Sequence, residues 1–133
     1  MSNALILRLA GMAGLVCGLS CEYSPALKNG AKALQQISLL RGAEVTYHAA
    51  HRRYAGLTAL GPTGDKLISP QLASGTEDGY RFNIEVSEDG YRLTASPLSP
   101  GKTGFAWYFC DESGIVRRSW GPGGAVASSP PVD

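Results

Sequence analysis

Apolar and polar residues alternate in two consecutive runs, residues 80–86 and 91–96. The apolar members are Tyr80, Phe82, Ile84 and Val86 in the first run, and Tyr91, Leu93 and Ala95 in the second. A period of two places every second side chain on the same side of a strand, so each run is expected to bury one face. The sequence Ser-Glu-Asp-Gly at residues 87–90 separates the runs and predicts a turn between two antiparallel strands.

A third run, residues 105–110, is apolar or aromatic throughout. Its alternate positions form two sets, Phe105, Trp107 and Phe109 or Ala106, Tyr108 and Cys110, and the sequence leaves open which set is buried. Such a run is typical of a central strand covered on both sides, or of a strand whose outer face meets a partner. Trp107 and Tyr108 are therefore the candidate interface residues. A turn at residues 111–114 and a further strand over residues 115–118 are expected to follow.

A long helix is predicted upstream of the strands. Ser24 and Pro25 form a start signal, because a hydroxyl can cap free N–H groups and proline is favoured at the first helical position. A stripe with spacings of three and four follows, comprising Leu34, Ile37, Leu40, Ala43, Tyr47, Ala50 and Tyr54. We expect one amphipathic helix, firm over residues 31–53, with this stripe against the sheet.

Together these patterns predict an α+β fold, in which one long N-terminal helix packs on a three- to four-stranded antiparallel sheet. The domain is expected to span residues 22–120. Residues 55–78 are rich in turn-forming residues, and the sequence predicts one short helical turn there, after Ser69 and Pro70. Residues 121–133 are mainly Gly, Pro, Ala and Ser, which predicts a disordered tail.

The N-terminal segment, residues 1–21, is expected to be a signal peptide. It has a cation at Arg8 and then about a dozen apolar or small residues, too few to span a bilayer but typical of an export signal. Residues 18–21, Gly-Leu-Ser-Cys, are similar to a bacterial lipoprotein cleavage site, which makes Cys21 the candidate lipidation site. The alternative is an ordinary signal peptide cut nearby. Both interpretations predict export to the cell envelope.

Charge argues against nucleic acid as a partner. The chain has 12 basic and 11 acidic residues, a formal net charge of +1, and Arg8 would be lost with the leader. No surplus of cations is then left to neutralise phosphates.

One group of residues has spacing suited to a metal ion. Glu44, His48 and His51 share a helix face, and two imidazoles with a carboxylate can hold zinc. However, the adjacent cations Arg52 and Arg53 oppose metal binding, and basic side chains are favoured near a helix C-terminus by the helix dipole. We expect a solvated helix end and no metal or other cofactor. Residues 61–66 lack the spacing of a phosphate-binding loop and predict a plain turn.

No catalytic constellation is visible, so no catalytic residues are assigned and the chain is expected not to be an enzyme. The carboxylates of Glu88, Asp89, Asp111 and Glu112 fall in predicted turns. Cys110 is expected to be a small buried hydrophobe. The alternatives are an intermolecular disulfide, a bridge to Cys21, or an activated thiolate, which would need a lowered pKa.

Several segments resemble the bacterial type IV pilin-like and pseudopilin-like domains. The strongest is residues 29–54, above all Ala-Glu-Val-Thr-Tyr at residues 43–47. The resemblance continues through Tyr-Ala-Gly-Leu-Thr-Ala-Leu-Gly at residues 54–61, Leu-Ala-Ser-Gly-Thr at residues 72–76 and Gly-Tyr-Arg-Phe at residues 79–82. It ends with residues 95–97, 100–104 and 111–114, and covers about two-thirds of the chain.

The resemblance implies a non-enzymatic structural or protein-interaction domain. Its expected partners are other envelope, pilus or type II secretion proteins, together with the membrane, reached through a lipid anchor or the leader. The chain lacks the Phe-Thr-Leu-Ile-Glu-like run of the family's leaders and has a lipoprotein-like leader in its place. The alternative is a genuine minor pilin or pseudopilin whose divergent leader is retained as a membrane helix.

Overall fold

In a computed structural model, which describes residues 24–121 and 123–132, the chain folds as a helix-and-sheet structure. The helices are α1 (Pro25–His51), α2 (Leu57–Leu60) and α3 (Pro70–Ala73). The strands are β1 (Thr76–Glu77), β2 (Tyr80–Val86), β3 (Tyr91–Pro97), β4 (Trp107–Asp111) and β5 (Arg117–Ser119). The α+β class is confirmed, but the antiparallel sheet has five strands rather than three to four.

Helix α1 begins at the predicted signal. The Ser24 hydroxyl accepts a hydrogen bond from the N–H of Leu27 at 3.4 Å, and Pro25 occupies the first turn. The helix is therefore regular from Pro25, earlier than the expected residue 31. It ends at His51 because Arg52 takes a left-handed conformation, with φ of 61°, and donates its N–H to the carbonyl of His48.

The predicted stripe packs against the sheet over most of its length. Ile37, Leu40, Ala43 and Tyr47 are buried, as is Ala33, which lies outside the predicted stripe. Ala50, in contrast, is exposed, so its assignment to the stripe was wrong. The helix stops one residue later, and the next aromatic contact comes from beyond it: the ring of Tyr54 lies 4.9 Å from that of Tyr91.

The sheet is a meander in which each strand pairs antiparallel with the next. The inner face, toward α1, carries the apolar members of the two alternating runs except Val86, and it continues across β4 with Tyr108 and Cys110. Val86, at the end of β2, is 45% exposed, so its expected burial was wrong. Leu93 pairs with Cys110, and Ala95 pairs with Tyr108. The set Ala106, Tyr108 and Cys110 therefore faces α1 and is buried. Trp107 and Phe109 lie on the opposite, outer face, where Trp107 is partly exposed and Phe109 is also buried, at 6% exposure.

The sheet has one strand that was not predicted, and several strand boundaries differ from the expectation. Strand β1 was missed because two residues are too short to show alternation; it folds back on β2 through Asp78 and Gly79, both of which have positive φ. Strand β4 begins at Trp107 rather than Phe105, and β5 covers Arg117–Ser119 rather than residues 115–118. Each shift is one or two residues, and the pairing partners are those of a simple meander.

The connection between α1 and the sheet is held by two short helices. The predicted turn after Ser69 is α3, whose N-terminus is capped by the Ser69 hydroxyl, 3.2 Å from the N–H of Leu72. Helix α2 was not predicted. Leu60 of α2 and Leu72 of α3 are almost fully buried, so each short helix is fixed by its own leucine in the core.

The segment expected to be disordered, residues 121–133, makes defined contacts where it is described. Backbone hydrogen bonds join Arg118 to Pro130 at 2.9 Å and Val132 to Val116 at 2.8 Å. Ala125 is buried. The tail therefore covers the free edge of β5, an arrangement that satisfies backbone groups an edge strand would otherwise leave unpaired.

Candidate interaction surface

A groove of about 200 Å³ opens between the N-terminal third of α1 and the sheet. Helix α1 contributes one wall through Ala26, Gly30 and Leu34, and the sheet contributes the other through Tyr80 and Tyr108. Small residues keep the helix close to the sheet here. A side-chain carbon added at Gly30 would lie 3.4 Å from the Tyr108 hydroxyl, at van der Waals contact, so little space is left between the helix and the sheet there.

The floor of the groove is fixed by a buried hydroxyl. Tyr80 is fully buried, and its hydroxyl donates a 2.8 Å hydrogen bond to the carbonyl of Ala106. Burial, together with nearby Tyr108, raises the pKa of Tyr80 to about 12, so the hydroxyl remains a donor. This bond ties the start of β2 to the residue before β4.

The rim of the groove carries exposed apolar side chains. Leu27 is 53% exposed, Phe105 is 43% exposed and Trp120 is 63% exposed. The Arg118 guanidinium lies 4.8 Å from the centre of the Trp120 ring, within cation–π distance. No periodic pattern in the sequence marks this set, because Leu27 lies off the helical stripe and the two aromatics flank the hairpin of β4 and β5. Their shared position, just outside paired strand ends, was the available signal.

The two predicted interface residues are separated by the sheet. Tyr108 is buried beneath α1 at 4% exposure, whereas Trp107 is partly exposed on the outer face. The tail lies near Trp107, since a side-chain carbon added at Gly124 would be 4.0 Å from its ring. Cys21, the candidate lipidation site, lies outside the described residues.

A buried carboxylate lies at the other end of α1. Glu44 is fully buried, and its Oε1 accepts a 2.8 Å hydrogen bond from the N–H of Ala55. Its Oε2 has no hydrogen-bond partner among the described residues. Burial, only partly offset by the Ala55 bond, raises the pKa of Glu44 to about 7. Glu44 follows Leu40 by four residues and Ile37 by seven, so helical spacing alone could have placed it on the buried side.

Cys110 is a buried free thiol on the inner face of β4. Burial is the main reason that its pKa rises to about 11, and Arg41 opposes that rise. A thiol with this pKa is almost entirely protonated at neutral pH, whereas a nucleophilic cysteine needs the thiolate. The geometry therefore matches the small buried hydrophobe that was expected.

The three candidate metal ligands do not converge. Glu44 is inside the core, the ring of His48 packs on that of Tyr54 at 4.5 Å, and Nε2 of His51 lies 2.8 Å from the Asp65 carboxylate. Among residues 24–121 and 123–132, no group of three or more His, Cys, Asp or Glu side chains is placed to hold a metal ion. The histidines instead attach the end of α1 to the connection that follows it.

No helix within the described part of the chain is both long and apolar enough to cross a membrane. Comparison of the chain with protein-family models, with curated proteins and with solved structures found no match. Its function must therefore be argued from its own residues.

Proposed function

We propose that this chain is a non-enzymatic, pilin-like structural or protein-interaction domain that is exported to the bacterial cell envelope and attached to the membrane by lipid at Cys21. Its partners are other envelope proteins, of the kind that build pili or secretion machinery. One observation carries the proposal: a 27-residue helix packed on an antiparallel meander follows directly after an apolar leader ending in cysteine. This order of elements agrees with the resemblance in residues 29–114.

The start of α1 argues against a leader that runs into it as one uninterrupted helix. Ser24 is extended, with φ of −61° and ψ of 144°, and it caps the helix that begins at Pro25. A leader retained as one continuous helix with α1, as in pilin filaments, would need helical geometry at Ser24. The extended cap instead separates α1 from the residues before it.

The proposal of a non-enzymatic role is supported by the state of the titratable groups. The Cys110 thiol is buried with a raised pKa, and the Glu44 carboxylate is enclosed by the core. Neither group can reach a substrate without local unfolding. The groove beside α1 is lined largely by apolar side chains, which suits binding rather than acid–base chemistry.

Metabolic labelling with palmitate in a bacterial host tests the attachment. We expect the full chain to incorporate label and Cys21→Ala to lose it completely. Cys17→Ala is the matched control, since it removes a cysteine four residues upstream, and it should retain the label. Absence of label in the unaltered chain would remove the lipid anchor. A methylated N-terminus within residues 9–20 would instead identify a minor pilin or pseudopilin.

A further inference from the structure

Four of the nine exposed large hydrophobic side chains among the described residues, including both aromatic ones, lie at one end of the domain. The start of α1, the start of β2, the end of β3, the start of β4 and the end of β5 all lie at this end, as the strand pairing requires. We call it the proximal end. The distal end is formed by the two turns at residues 87–90 and 111–114.

Four exposed large hydrophobic residues occupy the proximal end. Leu27 lies in the first turn of α1, Leu98 follows β3, Phe105 precedes β4 and Trp120 follows β5. Among the described residues, Phe105 and Trp120 are the only aromatic side chains in the class of exposed large hydrophobics. Exposed apolar groups are ordinary when scattered, but a cluster that includes both aromatics marks a contact surface.

The two ends also differ in charge. At the proximal end Arg118 stacks on Trp120, Lys102 is exposed, and Lys32 lies 3.7 Å from Asp78. At the distal end the two turns carry four carboxylates, Glu88, Asp89, Asp111 and Glu112, and two cations, Arg41 and Arg92, lie beside them. An anionic surface would therefore attract the proximal end more strongly than the distal end.

The attachment point limits where the proximal end can lie. Cys21 precedes the first residue of α1 by four positions, and four extended residues span at most about 14 Å. A lipid on Cys21 would therefore hold the first turn of α1 within that distance of the membrane surface. Leu27, one turn further on, and the groove beside it would be held there too.

We infer that the proximal end rests on the headgroup layer of an anionic phospholipid bilayer, with Trp120, Phe105 and Leu27 as the contacting side chains. Indole rings favour the membrane–water interface because one part of the ring is apolar and the N–H is polar. The Arg118 guanidinium, beside Trp120, is suited to pair with a lipid phosphate. This inference rests on the proposed membrane attachment and adds a defined orientation to it.

Tryptophan fluorescence of the full chain in vesicles tests the inference. The chain has two tryptophans, so Trp107→Phe leaves Trp120 as the sole reporter. The vesicles contain phosphatidylcholine and phosphatidylglycerol, with bromine near the top of the acyl chains as a short-range quencher. We expect Trp120 emission to shift to the blue and to be quenched. Adding Leu27→Glu and Phe105→Glu should abolish the quenching while the protein still sediments with the vesicles.

A reporter at the distal end provides the matched control. Ile115 is as exposed as Phe105, at 43%, and follows the turn at residues 111–114. Ile115→Trp, combined with Trp107→Phe and Trp120→Phe, should sediment equally but remain unquenched. Circular dichroism confirms that each variant is folded.

Four outcomes would overturn the inference. Equal quenching of the two reporters would mean that the domain has no fixed orientation. Sedimentation without quenching of Trp120 would leave the attachment intact and remove the lipid contact alone. A blue shift of Trp120 that depends on protein concentration without vesicles would assign the surface to a second copy of the chain. Protein that stays in the supernatant would contradict the attachment itself.

Discussion

The distal end of the domain pairs backbone N–H groups with glutamate side chains, whereas the proximal end leaves large apolar side chains exposed. At the distal end, the Glu112 carboxylate accepts a 3.1 Å hydrogen bond from the N–H of Tyr91. The Glu44 carboxylate accepts one from the N–H of Ala55. At the proximal end, Leu27 and Trp120 are left largely uncovered by the chain's own residues. Both ends expose apolar side chains, Val86 and Ile115 at the distal end, but among the described residues the large exposed aromatic rings, Phe105 and Trp120, are at the proximal end.

The contrast extends along α1. Its C-terminal half is fixed by aromatic and hydrogen-bonding contacts, including the rings of Tyr47 and His51 at 4.1 Å and the bond between His51 and Asp65. Its N-terminal third offers small residues, which bring the helix close to the sheet but cover little of the groove beside it. The helix is thus fixed to the rest of the domain at its C-terminal end and leaves a groove beside its N-terminal end.

The largest expected effect is on the free energy of unfolding, when a side chain is removed from the core that joins the two ends. Leu40 is fully buried, so Leu40→Ala should lower the free energy of unfolding by about 2–5 kcal/mol. Leu39, the preceding residue, is 59% exposed, and Leu39→Ala should change it by less than about 0.5 kcal/mol. Urea unfolding of both variants measures the difference. Equal losses would mean that α1 does not pack on the sheet through this side.

The next effect belongs to the distal end and depends on pH. Because the folded-state pKa of Glu44 is raised from 4.5 to about 7, the folded protein holds a proton that the unfolded chain releases. Stability should therefore be greatest below the lower value and fall as the pH rises to the higher one, by roughly 3 kcal/mol at most. Glu44→Gln, which mimics the protonated side chain, should flatten this dependence.

The Glu44 effect is measured by urea unfolding at acidic and mildly alkaline pH. Glu85→Gln is the matched control, because Glu85 is exposed on β2, and it should keep the slope of the unaltered protein. A Glu44→Gln variant with an unchanged slope would show that another group is responsible. The distal end would then not be closed by a buried carboxylate.

A smaller effect tests the floor of the proximal groove. Tyr80→Phe removes the hydroxyl that donates to the Ala106 carbonyl and leaves that acceptor unpaired, which should cost about 1–3 kcal/mol. Tyr54→Phe removes a hydroxyl from a partly exposed ring and serves as control. Thermal unfolding of the two variants provides the comparison. If Tyr54→Phe proves the more costly change, the floor is not held by Tyr80.

The smallest effect concerns the rim. Leu27→Ser and Trp120→Ser should each change the free energy of unfolding by no more than about 0.5 kcal/mol, because both side chains are mostly exposed. A loss well above 1 kcal/mol for either would place that side chain in the domain's own core rather than on a contact surface. Urea unfolding without lipid is the appropriate measurement.

The fold was largely predictable because its main elements follow simple periods. Alternation in β2 and β3 identified both strands, and Ser24 with Pro25 marked the start of α1. What the sequence could not supply were pieces too short to have a period, such as the two residues of β1. The burial of residues 105–110 also remained open, because apolar residues on both sides of a strand give no sign of which faces the helix.

The candidate surface was less predictable than the fold. Trp107 and Tyr108 were predicted to be interface residues because they are aromatic residues in an apolar run, yet Tyr108 belongs to the core. Phe105 and Trp120 lie just beyond the paired residues of β4 and β5, where exposure depends on how the hairpin ends meet α1. That meeting is a tertiary property, and no local pattern encodes it.

The intact mass of the protein recovered from bacterial membranes tests the central claim most directly, because the proximal end acquires its role only if the chain is attached beside it. The account predicts a mass equal to residues 21–133 plus a lipid modification on Cys21. An unmodified chain beginning at Met1 and recovered from the cytosol would contradict it.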